Sequence, residues 1–82
     1  MALTPLEKTL LGNLLERKMD EGATGRQIIV SMVGATEAQW RAAARGHAEI
    51  LLPELTHKRA NGTAEVIELA SQIAVLEAYL AA

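Results

Sequence analysis

Thr36 to Gly62, TEAQWRAAARGHAEILLPELTHKRANG, is the stretch whose reading decides the fold. Thr36 can accept from the amide of Gln39 while Gln39 reaches back to the amide of Thr36, the reciprocal capping that starts a helix. Asn61-Gly62 supplies the residue types that end one in a left-handed turn. Between these signals Trp40, Ala43, Ala44, His47, Ala48, Leu51 and Leu55 recur at steps of three and four, which is helical spacing. The rhythm passes through Pro53. The prediction is therefore one long helix over 36–60, roughly 36 Å at 1.5 Å per residue. It should bend near Pro53, where an amide is missing and the ring crowds the carbonyl of Glu49.

Outward from this helix the other elements follow. Thr4-Pro5-Leu6-Glu7 has Thr to cap, Pro at the first helical position and Glu three residues after the cap. Leu6, Leu10, Leu11, Leu14, Leu15 and Met19 then form a broad apolar stripe, so a helix is predicted over 5–20, closed by Gly22. Gly12 inside it costs about 1 kcal/mol relative to Ala, and the expected reason is close packing against another helix. Thr24-Gly25-Arg26-Gln27 repeats the capping logic. The run IIVSMV after it also suits a strand, but the chain holds no second strand-like run to pair its backbone. A short buried helix over 25–33, ending at Gly34, is expected. Its apolar residues point all ways, which predicts the most enclosed element. Thr63 can cap a last helix over 64–80. There Val66, Leu69, Ile73, Leu76 and Leu80 form a seam, with Glu65, Glu68 and Glu77 off it and Ala70 and Ala74 beside it. The expectation is an all-α, compact four-helix domain spanning 1–82, its long third helix Pro-kinked.

Composition narrows the function. Half of the residues are apolar, but there is no Phe and only one Trp and one Tyr, so Leu, Ile, Val, Met and Ala must build the core. So high an apolar fraction on so short a chain suggests a homodimer. The net charge is −2, with five basic and three acidic residues over 23–62 and three acidic but no basic residues over 63–82. That is not the charge of a generic nucleic-acid binder. No cysteine is present, which removes disulfides, thiolate nucleophiles and Cys-type zinc sites. A cytoplasmic protein is expected, because no basic segment followed by an apolar run opens the chain and no apolar run is long enough to span a bilayer.

No arrangement of residues specifies a reaction. Glu54-x-x-His57 has the spacing that puts two ligands on one helix face in di-iron bundles, but such sites need a second pair and two more carboxylates. A surface Glu–His pair is expected instead, with no metal and no cofactor. Ser31 falls in a run read as buried and Ser71 on an acidic helix, and neither sits on a nucleophile elbow. No glycine-rich phosphate loop occurs. The protein is thus read as non-enzymatic.

Two binding readings remain. Arg and Trp are frequent interface anchors, and Trp40, Arg41 and Arg45 cluster within two turns. They mark a partner-binding face on a small protein-interaction module, an adaptor or inhibitor that covers another protein's surface. The alternative is a DNA-binding regulator, since residues 25–45 resemble a helix-turn-helix. There Glu37, Gln39, Arg41 and Arg45 would face the DNA, with Trp40 and Ala43 buried. Val30, four residues before the turn glycine, is bulky where that motif wants a small residue.

Overall fold

A computed structural model describes residues 2–62 and 66–82, with the side chains of Val66 and Ile67 outside that description. Four helices follow in order: α1 Pro5–Asp20, α2 Ala23–Ser31, α3 Glu37–Ala60 and α4 Val66–Ala81. Among the described residues there is no strand, so the all-α reading holds. The chain divides into two compact units, Met1–His47 and Ala48–Ala82, with the division inside α3.

In the first unit, α1 begins as expected. The Thr4 amide donates to Glu7 Oε1 at 2.9 Å and the Glu7 amide donates to Thr4 Oγ1 at 3.2 Å, with Pro5 leading the helix. It ends where the Glu21 amide donates to the carbonyls of Arg17 and Lys18, and that of Gly22 to Met19. Gly22 sits at φ 82°, a left-handed conformation that side chains disfavour. Leu10 and Leu11 are buried, while Met19, expected in the same stripe, is exposed.

The second helix departs from expectation in three ways. It starts at Ala23, so Thr24 lies inside it and makes no cap; Gly22 is the capping residue, without a side-chain bond. The turn at Gly22 is sharp enough for the helix to restart at once, and the Arg26 amide already donates to the Gly22 carbonyl at 3.0 Å. It stops at Ser31 rather than 33. There the Ser31 hydroxyl donates to the Ile28 carbonyl at 2.6 Å, and the next amides fall back to the tighter three-residue pattern. Finally, α2 is not the most enclosed element. Gly25 is its one buried residue, Ile29 and Met32 are half-buried, and Ile28, Val30, Ser31 and Val33 are exposed. Gly25, Ile29 and Met32 recur at steps of four and three, a single inward stripe, and a nine-residue helix has no second covered side.

The close approach expected at Gly12 occurs at Gly25 instead. A Cβ on Gly12 would meet nothing within 4 Å, whereas one on Gly25 would lie 1.7 Å from the Lys18 carbonyl oxygen. The backbones of α1 and α2 touch there, and no side chain fits between them.

The third helix opens with the expected capping box. The Thr36 amide donates to Gln39 Oε1 at 2.8 Å, and the Gln39 amide to Thr36 Oγ1 at 3.2 Å. It continues through Pro53 to Ala60, and Gly62 follows at φ 62°. A bend at Pro53 remains the expectation set by its missing amide. Ala44 and His47 are buried in the first unit, Ala48 and Leu55 in the second. In α4 the seam residues Leu69, Ile73 and Leu76 are buried and Leu80 is half-buried. The Thr63 cap and the Val66 side chain lie outside the described residues. No described helix is long and apolar enough to cross a membrane.

Two glycine substitutions should move stability in opposite directions. Gly12→Ala fills open space on a helix and should stabilise by about 1 kcal/mol. Gly25→Ala must push α1 and α2 apart, at a cost of about 1–3 kcal/mol or more. Urea unfolding of both variants checks this, and a Gly25→Ala variant as stable as the parent would rule out the contact.

Candidate protein-interaction surface

The residues expected at a partner face all lie in the first half of α3. Trp40 is half-buried and Arg45 is exposed on α3. Arg41 is drawn back onto its own unit. Its Nε donates to Glu7 Oε2 at 3.1 Å, and its Nη2 to Glu37 Oε1 at 3.2 Å and to the Ala2 carbonyl at 3.3 Å. The Glu7 side chain is only 3% exposed, against 36% for Arg41. A buried carboxylate needs its charge met, and Glu7 meets it on both oxygens, with the Thr4 amide on one and Arg41 on the other. The helix cap and the α1–α3 ion pair are thus one structure. Glu7 carried a capping role in the sequence, and nothing there marked its second role.

A second polar contact joins the same two helices. His47 Nε2 lies 2.7 Å from Asn13 Oδ1, and the imidazole is buried. Periodicity placed His47 on the apolar face of α3, while Asn13 gave no signal. His57, by contrast, is exposed and bonded to Asn61 Nδ2 at 2.9 Å, with Glu54 half-buried nearby in sequence. Among the described residues, no three His, Cys, Asp or Glu are grouped as a metal ion would require. Ser31, read as buried, is exposed with its hydroxyl on a backbone carbonyl. Ser71 is exposed on α4.

The helix-turn-helix corner exists as α2, a turn over 32–36 and α3. Its DNA-facing candidates are engaged locally, however. Gln39 Oε1 closes the cap of α3, and Glu37 and Arg41 pair with each other.

What the corner does present is apolar. Val30 is 70% exposed and Val33 79%. From Gln27 to Thr36 the sequence carries no charge. At Val33 opens a cleft of about 370 Å³, lined by Ser31 at the end of α2, by Met32, Val33, Gly34 and Ala35 after it and by Gln39 and Ala43 from α3. No titratable side chain lines it; its polar side chains are Ser31, whose hydroxyl donates to the Ile28 carbonyl, and Gln39, whose Oε1 accepts from the Thr36 amide. Its walls suit an aliphatic group. The sequence led us to expect Val30 and Val33 inside the most enclosed helix; they are exposed because α2 is too short and too closely seated on α1 to have both sides covered.

Comparison with protein families, with curated proteins and with solved structures finds no match to this chain.

The Arg41–Glu7 pair yields a direct test. Arg41→Met takes a charged partner from a buried carboxylate, and should cost about 1–3 kcal/mol in urea unfolding. The lower part of that range is expected, because water already reaches the guanidinium. Replacing exposed Lys8 by Met should stay within about 0.5 kcal/mol of the parent.

Proposed function

We propose that the protein is a non-enzymatic protein-interaction module, an adaptor or inhibitor that covers a partner's surface, with α2 and the turn after it as the contact face. One observation carries the reading: two valines stand mostly exposed on an uncharged stretch, one of them on the wall of a cleft with no titratable side chain. Leaving such side chains in water forfeits about 25 cal/mol for every Å² that a partner would cover, and contiguous exposed apolar patches are the usual mark of a binding surface. Trp40 and Arg45 stay within the proposed contact as residues of the adjoining helix. Arg41 does not, because reaching a partner would release the buried Glu7.

A DNA-binding regulator is the competing reading, supported by the α2–turn–α3 corner. It is the weaker one, since Glu37 opens α3 with a charge that phosphates repel and Arg41 is already neutralised.

Affinity capture with the parent and with a Val30→Glu/Val33→Glu variant as baits tests the choice. The expected result is a protein partner bound at least tenfold more weakly by the variant, with unchanged far-UV circular dichroism. Each buried valine contributes about 1.5–3 kcal/mol, which makes tenfold the lower bound. Equal capture by both baits contradicts the assigned face. Recovery of DNA, held in a manner that falls steeply with salt, contradicts the module.

A further inference from the structure

We infer that Asn61 is a site of spontaneous deamidation, and that its contact with His57 sets the pace at which the folded chain loses that amide. The residues involved all belong to the second unit.

The chain holds two asparagines, Asn13 and Asn61, and only Asn61 precedes a glycine. An asparagine side chain can cyclise onto the amide nitrogen of the next residue, and a glycine there leaves that nitrogen open to close approach. Asn61 and Gly62 are both exposed, in the turn that follows α3. A Cβ placed on Gly62 would meet nothing within 4 Å beyond its chain neighbours, so no other described side chain screens the approach. Asn13 is the opposite case. It is half-buried within α1, is followed by Leu14, and has its Oδ1 2.7 Å from Nε2 of the buried His47.

The reaction needs only water. The Gly62 nitrogen attacks Asn61 Cγ, and a new N–Cγ bond forms as the bond from Cγ to Nδ2 breaks. Nδ2 leaves as ammonia, carrying the proton that the Gly62 nitrogen gives up. Water then opens the cyclic imide at either carbonyl. One opening gives aspartate, and the other gives isoaspartate, in which the main chain runs through Cγ. No electrons are transferred.

Two bonds oppose this in the folded chain. The Gly62 amide donates to the Arg59 carbonyl at 3.2 Å. Asn61 Nδ2 lies 2.9 Å from His57 Nε2, one turn back along α3. The side-chain amide is thus turned toward the preceding turn, whereas the nitrogen it must meet lies on the C-terminal side. Both bonds sit at an exposed helix end, the part of a fold that opens at least cost. Reaction therefore draws on a locally opened end of α3 and needs no unfolding of the rest. Its product places a carboxylate after His57, Lys58 and Arg59 of the last turn. The helix dipole disfavours an anion there, and isoaspartate also lengthens the main chain where the Gly62 amide meets Arg59. The end of α3 changes in charge and in main-chain path as the protein ages.

Ageing the full chain in neutral buffer tests this. Ion exchange separates the product by its added negative charge, and peptide mass spectrometry locates the site and distinguishes aspartate from isoaspartate. Asn61 should convert to both products while Asn13 stays intact. His57→Ala, shown to be folded by circular dichroism, should convert about two- to fivefold faster, as expected on removing one hydrogen bond. In urea, where the end of α3 is open in both chains, parent and variant should react at one rate, faster than the folded parent. An Asn61 that persists as long as Asn13 overturns the site. Folded His57→Ala converting no faster than the parent, a folded parent as fast as the same chain in urea, or a difference between the two chains that survives in urea overturns the restraint by His57.

Discussion

The first unit depends on a backbone contact that admits no side chain at all. At Gly25 the main chain of α2 lies against the Lys18 carbonyl of α1, nearer than any Cβ could stand. Where backbones meet like this, the angle and height of one helix on the other are set by main-chain shape and not by a choice among rotamers. That fixes which side of α2 is inward. Ile29 and Met32 follow Gly25 onto α1 by helical spacing, and Val30 and Val33 are thereby turned to the outside. The exposed valines are a geometric result of the glycine.

The third helix is held by polar chemistry instead. Arg41 reaches Glu7, and His47 reaches Asn13, at two heights along α1. Buried hydrogen bonds of this kind add modest net stability, but leaving either partner unmet is costly. They therefore discriminate between registers: a helix slipped by one turn would strand a carboxylate and an imidazole together. The apolar contacts at Leu10, Leu11 and Ala44 supply attraction without such discrimination.

Local signals were legible wherever their cause was local. The Thr4–Glu7 and Thr36–Gln39 caps, the helix ends at Gly22 and Gly62 and the buried seam of α4 all follow from residues within a turn or two of each other. The failures share a different origin. Nothing near Gly12 or Gly25 in the sequence tells which of them meets another helix. Nothing in IIVSMV says that only one side of it will be covered, and hydrophobicity alone made it look like core. Glu7 was read for its cap because Thr4 is its neighbour; Arg41 lies 34 positions away. Arg41 looks available on its own helix for the same reason, and its bond to Glu7 could not be read from its neighbours.

That separation has a consequence for the order in which the first unit assembles. The α1–α2 corner closes a very short loop, and its glycine contact can form as soon as both helices flicker into existence. The two polar contacts to α3 each span 34 positions and carry the larger loop-closure entropy. The hairpin is thus the part of the first unit whose closure depends least on the rest of the chain, and the α1–α3 bonds are the part that depends most on it.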